Sequence, residues 1–538
     1  MYIGDPVGSY CNVVLVKGHG RNMATTTATK FATGDSSHDG TLLSEEYTVK
    51  ALPGILDARD LTALFVLLLF FVTNVPNAVA GGAAGLTLWI VGGITFFIPC
   101  AVVTSQLGTI FPMEGGLYNW THKAFGPYMA FFVAFCAWVP GPLLLLATSD
   151  LLVNYLQGLN SNWLLAPWQQ GIALMVIVAL AGIVALRRHR TVQNIVNVTA
   201  VVIVLIAFLI GVAGIVWLVK GNPSATAFSP ASNWLITWSP WWNPFSGAGN
   251  FGLFGVITLG YLGVNIPLNM AGELRRGGRN GQNEQQVSRM IRQHLVWGVL
   301  IVIVGYLVVT FGVLVVEGQN ASYVLYAMVT AVTAVMGKGM GIVVAIGIML
   351  TIFVATVVYT NTFARWLLVG GIDKRLPTSV GRLNRNRVPA NAIIFQTFAA
   401  ILLVFLFFIV LPLLVGGSNS ANLVLQVYFV GVGAATMLWA FATIFLFINV
   451  LKLYAINPDE FRKYSVAPVP VIMVCAGLGL ISGLFAMVDT LFNSYIPPLI
   501  PNAQWWWIVG GVTLVIVIVA ILISMVASSE AAWQDLNR

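Results

Sequence analysis

Residues 74–81 read NVPNAVAG and residues 265–272 read NIPLNMAG. Each stretch lies inside a long apolar run, and each places an Asn two residues before a Pro. A proline inside a helix removes one backbone donor and clashes with the carbonyl four residues earlier. Asparagine side chains compete for nearby backbone groups and loosen the turn further. Pro76 with Asn74 and Asn77, and Pro267 with Asn265 and Asn269, therefore each predict a local opening of a helix. In hydrocarbon every backbone N–H and C=O needs a partner, so opened backbone is tolerated only inside protein or beside a watery cavity.

The solvent is hydrocarbon on compositional grounds. Of 538 residues, 58% are hydrophobic and 8% are charged, against about 25% charged in soluble proteins. Stretches of 18 or more apolar residues are candidate spanning helices. Twelve occur, at roughly 62–82, 86–110, 127–157, 169–187, 194–220, 250–274, 293–316, 341–370, 390–412, 422–450, 467–490 and 504–527; they are spans 1 to 12 below.

The net charge of +8 is distributed by loop. Arg187, Arg188 and Arg190 follow span 4; Arg275, Arg276, Arg279, Arg289 and Arg292 follow span 6. Arg365, Lys374, Arg375, Arg382, Arg385 and Arg387 surround the end of span 8, and Lys452, Arg462 and Lys463 follow span 10. The alternate loops 158–168, 221–249, 413–421 and 491–503 contain no Lys or Arg. Cytoplasmic loops carry the Lys/Arg excess, so both termini are expected in the cytoplasm and the basic excess reports topology rather than nucleic acid. The opposite loops hold Trp163, Trp168, Trp234, Trp238, Trp241, Trp242 and Trp505 to Trp507, which predict an outer aromatic belt. Cys11, Cys100, Cys136 and Cys475 suggest neither a disulfide framework nor a metal site, and no cofactor is implied.

Residues 1–50 lack a hydrophobic pattern and a cleavable signal, and predict a disordered tail. Met23 is a second candidate start, which would place residues 1–22 outside the native chain. Residues 47–60 suggest a short interfacial helix leading into span 1. The remainder divides into a core over 51–460 and a terminal pair of helices over 461–538.

The two Asn-Pro breaks fall five spans apart. Because five is odd, the broken helices run in opposite directions, as two inverted five-helix units over about 61–220 and 250–450 would place them. Transporters built this way bind substrate near the midplane where the broken helices meet. Free N–H groups at the start of a resumed half-helix suit a carboxylate, and free carbonyls suit an ammonium or a metal cation. Both together fit a zwitterion.

Residues 98–126, IPCAVVTSQLGTIFPMEGGLYNWTHKAFG, resemble the second-to-third-helix segment of the amino acid–polyamine–organocation superfamily, through Pro112, Gly115, Gly116, Tyr118, Phe125 and Gly126. GYLGVNIPLNMAGELRRGGRN at 260–280 resembles its broken sixth helix, and FARWLLVGGIDKRLP at 363–377 the end of its eighth. The segments TNVPN at 73–77 and FFIP at 96–99 look nearest to the glutamate/GABA-antiporter-like branch, with Thr73 where members often carry Arg. The resemblance implies an all-α membrane protein with twelve helices and the 5+5 inverted repeat of the leucine-transporter type. It also implies a cell-membrane permease or exchanger, not an enzyme, with an amino acid or amine as substrate, the lipid bilayer as its surroundings and no nucleic-acid partner. Homo-oligomerisation stays open.

Three common titratable positions of the superfamily are altered: Ser105-Gln106-Leu107 lacks the usual Glu, Gly263-Val264-Asn265 has Asn for Glu, and a helix 5 Lys falls at Val204. The site is expected to use backbone at Thr73, Asn74, Val75, Pro76 and Asn77 for a carboxylate, and at Leu262, Gly263, Val264 and Asn265 for an amine. Trp138, Tyr261, Thr356 and Tyr428 are expected as its wall. Without a central charge the substrate reads as neutral. Asp150, in the outer half of span 3, is the alternative handle for a cationic amino acid or polyamine, or a proton carrier. Glu273 is expected as a gate paired with Arg275 or Arg276, and Asp489 lies near the outer end of span 11. The histidines, His19, His38, His122, His189 and His294, are expected in the tail or cytoplasmic loops. The competing reading is a sensor or channel on the same scaffold; a membrane enzyme would need a catalytic constellation that the sequence does not display.

Overall fold

The computed structural model describes residues 42–238, 249–276, 282–322, 324–415, 420–495, 497 and 499–536. Trp241, Trp242, Arg279, Cys11, His19 and His38 lie outside the described residues, as does the tail up to residue 41. The described chain is helical, with one isolated bridge between Leu56 and Leu274. Eleven helices are long and apolar enough to cross a membrane: Ala58–Val79, Ala83–Ile110, Pro127–Leu159, Pro167–Ala185, His189–Val219, Gln285–Val316, Lys338–Ile372, Ala390–Leu414, Gln426–Ile456, Val469–Phe492 and Asn502–Ala527. They match every predicted span except the sixth, 250–274, which is divided into the short helices Phe254–Leu259 and Ile266–Glu273.

Two further helices, Leu117–Phe125 and Ala327–Met336, are too short to span and lie in connections where none was expected. Span 3 is jointed at Val139, where Pro140 starts a second helix because its missing N–H costs nothing in a first turn. Spans 5 and 7 approach backbone to backbone: a Cβ on Gly214 would lie 2.9 Å from Gly312 Cα. Without a hydrophobic force between helices in lipid, such small residues allow the close packing that holds them.

The tail expectation changes over residues 43–51, which form a helix, while residues expected to continue an interfacial helix to 60 are extended from 52 to 57. This helix is tied down by side chains. Ser44 donates from its N–H (2.8 Å) and its hydroxyl (2.9 Å) to the Asp373 carboxylate, and buried Glu45 pairs with Lys123 at 2.9 Å. The first span then starts at Ala58 with a reciprocal cap between Asp57 and Asp60.

Helix rotation, which composition does not reveal, corrects three further expectations. Trp163, Trp168, Trp238 and Trp507 are exposed, but Trp505 is fully buried and donates to Thr490 O at 3.0 Å. Val204 faces outward from span 5, and its neighbour Ile203 faces the break in span 1. Gln106 serves as a clamp between helices, its Oε1 accepting from Val466 N–H at 2.9 Å.

Candidate functional site: paired helix breaks and a buried charge cluster

Span 1 is helical over Ala58–Leu69, opens at Phe70 and Phe71, makes a tight turn at Val72–Asn74 and resumes as Val75–Val79. The opening thus lies just ahead of the expected Val72 to Asn77. Pro76 sits in the first turn of the resumed helix, where its missing donor would have had no partner anyway, so it starts a half-helix rather than bending one. Two tyrosines from other spans satisfy the interrupted backbone. Tyr306 OH accepts from Phe71 N–H and Asn74 Nδ2, each at 3.2 Å, and donates to Leu69 O at 2.7 Å. Tyr359 OH donates to Leu68 O at 2.6 Å. Among the described residues, the N–H groups of Val72 and Thr73 have no hydrogen-bond partner.

Span 6 repeats this arrangement. It opens over Gly260 to Asn265, and Pro267 again lies in the first turn of the half-helix that follows. Gly263 has φ +107°, a conformation that L side chains rarely adopt. Among the described residues, the N–H groups of Gly263, Val264 and Asn265 have no partner, nor do the carbonyls of Tyr261 and Leu262. The two openings touch: a Cβ on Gly260 would lie 3.4 Å from Asn74 Nδ2.

Aromatic rings close the space around them. Phe71 stacks on Tyr359 with centroids 6.0 Å apart, Tyr359 meets Trp439 edge-on at 6.3 Å, and Trp439 lies 3.1 Å from where a Gly263 Cβ would stand. Beside Thr73 a cavity of about 10 Å³ remains, lined also by Phe70, Phe71, Ile203 and Thr351. That is room for about one water, so the structure is a closed form.

The expected wall residues are placed elsewhere. Trp138 stacks on Phe395 and donates toward Gln396. The Tyr261 hydroxyl donates to Trp89 O at 3.0 Å, so only its backbone belongs to the opening. Thr356 Oγ1 is 2.8 Å from Thr148 Oγ1, tying span 8 to span 3. Tyr428 packs on Phe429 and lies beside Asp150. Asp150 Oδ2 accepts from Asn154 at 3.0 Å, and no described Lys, Arg or His pairs with the carboxylate. Asp489 is buried and accepts from Gly255 N–H at 2.7 Å, pinning the start of the outer half of span 6. Val75 and Pro76 are buried, and Asn77 is partly exposed.

The structure adds a charge cluster that sequence reasoning did not assemble. Glu273 pairs neither with Arg275 nor with Arg276 but with Arg365, eight residues before the exit of span 8 at Asp373 and fully buried. Arg365 Nε also meets Glu114 at 3.1 Å, and Glu114 Oε2 accepts from Gly272 N–H at 2.9 Å. His189, expected in an exposed loop, is buried with Nε2 3.5 Å from Glu273 Oε2. Burial pushes the Glu114 carboxyl up to about 8, with Arg365 opposing the shift and Glu273 adding to it. The main-chain carbonyl of Glu273 meanwhile accepts from Ile55 and Leu56, so the segment after the tail helix is laced to the same end. Glu114 stands between Pro112 and the Gly-Gly pair, the one signal that marked it in the sequence.

Among the described residues, no group of His, Cys, Asp and Glu has metal-holding geometry. The chain matches the family model described as "Amino acid permease" over residues 60–521. It is 23% identical over 458 residues, 82% of this chain and 90% of the other, to a Legionella pneumophila protein named Uncharacterized transporter lpg1691. Shorter matches join it to the Probable agmatine/putrescine antiporter AguD of Lactococcus lactis, 30% identical over 28% of this chain and 33% of that protein. A further match is to Polyamine transporter PUT1 of rice, 31% identical over 20% of this chain and 19% of that protein. With the family match running from the first span into the last, the chain belongs to the amino acid permease family of the amino acid–polyamine–organocation superfamily and is a multi-pass membrane transporter rather than an enzyme.

Proposed function

We propose that this transporter exchanges neutral amino acids across the cell membrane by alternating access, with twelve spans, two inverted five-helix units and both termini in the cytoplasm. The observation that carries this reading is the contact between two openings whose backbone N–H and C=O groups have no partner in the closed form. The substrate carboxylate takes the N–H groups of Val72 and Thr73, beside the positive end of the resumed half-helix. The ammonium takes the carbonyls of Tyr261 and Leu262. No charged residue occurs at 70–77 or 260–267, and an unpaired charge at the bilayer centre costs at least ~2.5–3.5 kcal/mol, so a neutral side chain is the one this site accepts. With no titratable group at the openings, exchange or facilitated movement needs no proton there.

A second reading, transport of cationic amines, is favoured by one observation: Asp150 is an intramembrane carboxylate with no cation beside it. The polyamine names of two relatives agree with it. The test is counterflow into liposomes holding the purified chain, with radiolabelled common amino acids, putrescine and agmatine. Exchange of neutral amino acids supports the first reading. Exchange of the diamines alone, lost in Asp150→Asn, replaces it with the second. Absence of exchange for every compound overturns both in favour of a sensor or channel.

A further inference from the structure

We propose that Glu114, Arg365, Glu273 and His189 form a proton-binding gate, holding one proton at the His189–Glu273 contact while this end is closed and releasing it when the end opens. The four residues come from four elements: the turn before Leu117–Phe125, the helix Lys338–Ile372, the end of Ile266–Glu273, and the first residue of His189–Val219. All are buried, so none of their charge is screened by water.

Two carboxylates share one guanidinium, which leaves the buried trio with one excess negative charge. Other charged groups face the cluster. Arg276 lies toward Glu114 at the half-buried rim, with Nη2 donating to Pro112 O at 3.0 Å. Asp60 and Arg190 flank His189 and neutralise each other at 3.1 Å. Within the cluster, both Glu114 oxygens already meet donors, from Gly272 and Arg365, and Glu273 Oε1 meets Arg365. Glu273 Oε2 and His189 Nε2 remain, two buried atoms without hydrogen-bond partners facing each other across 3.5 Å. A buried polar atom left unpaired is costly. One proton from the water at this end, taken up by the imidazole with Nε2–H aimed at Oε2, neutralises the trio and pairs both atoms. No other bond forms or breaks.

Opening this end separates elements that carry opposite halves of the cluster, and water then replaces the buried partners. The closed form therefore binds the proton more tightly than the open one. The Glu114 carboxyl, raised to about 8 by burial, acts in the same direction. A group whose affinity for protons is raised in one form stabilises that form at low pH, and that stabilisation is lost as pH climbs through the raised value. Low pH thus holds the end shut and rising pH lets it open. The use of this gate in a transport cycle rests on the transporter reading, but its test requires no substrate.

Asn361 lies one helical turn from Arg365 on the same face, buried, with Oδ1 unpartnered. In the full chain, Asn361→Cys places a thiol behind the gate and Ser379→Cys places an exposed reference thiol at the same end. Both are labelled with a membrane-impermeant maleimide in detergent and resolved by mass spectrometry. The ratio of the rates at positions 361 and 379 is expected to rise with pH by up to about tenfold per unit, the limit for one linked proton, and to become flat with His189→Gln. A flat or falling ratio in the chain that keeps His189 overturns the proposal without reference to any variant of it. A rise that survives His189→Gln overturns it as well. Failure of every substrate in the liposome assay leaves this outcome intact and strikes only the transport reading.

Discussion

The helix openings and the charge cluster are both polar and both buried, yet they are built from different material. At the openings the polar groups are backbone amides and carbonyls, and what they lack in helix partners is supplied by the neutral phenols of Tyr306 and Tyr359. At the cluster they are full charges, supplied by Arg365, Glu114, Glu273 and His189. Partial charges can be left unpaired at modest cost and taken up by a substrate. Full charges cannot, because a buried ion without its partner costs several kcal/mol. The contrast assigns recognition to the openings and closure to the cluster, and it can be broken from either side.

The largest effect is expected from Arg365→Ala, which strands two buried carboxylates. Loss of one partner from a buried pair destabilises by about 3–5 kcal/mol, read as a lower thermal midpoint of the full chain in detergent. An unchanged midpoint would show that the cluster is wet and its charges screened. Gly263→Leu comes next. A left-handed backbone conformation costs an L residue roughly 1–2 kcal/mol, and the new side chain meets Trp439, so at least a tenfold loss of substrate binding is expected by equilibrium ligand titration. Unchanged binding would remove the opening in span 6 from the site. Tyr306→Phe deletes one hydroxyl that serves three groups, and leaving such groups unsatisfied costs about 1–3 kcal/mol. Slower counterflow with an intact gate-labelling ratio is expected; an altered ratio would mean that the two regions are coupled. Trp138→Phe should be smallest, under ~0.5 kcal/mol in stability and silent in substrate binding, because the ring faces Phe395 and Gln396. A substrate effect there would restore Trp138 to the wall.

How legible each region was follows from how local its cause is. Apolar length and the placement of Lys and Arg are local properties of the chain, and eleven of the twelve expected spans have matching helices. The breaks were legible because glycine, asparagine and proline act on their own backbone. Even there the sequence located them only to within a few residues, since Pro76 and Pro267 begin half-helices and the openings precede them. The wall was not legible. Depth along a helix can be counted, but each residue turns the side chain by about 100°, so Trp138 and Tyr428 can share a depth range with the site and still face away.

The sequence by itself determined a membrane-embedded helical transporter with two openings in opposite spans, because composition and backbone chemistry require no distant partner. The tertiary structure alone decided who completes those openings and what closes the end. Tyr306 meets Leu69 across 237 positions and Arg365 meets Glu273 across 92. Nothing local distinguishes an arginine at the end of a span that faces water from one that is buried between two glutamates; only the packing of four separate elements around Arg365 excludes the water that would otherwise have answered its charge.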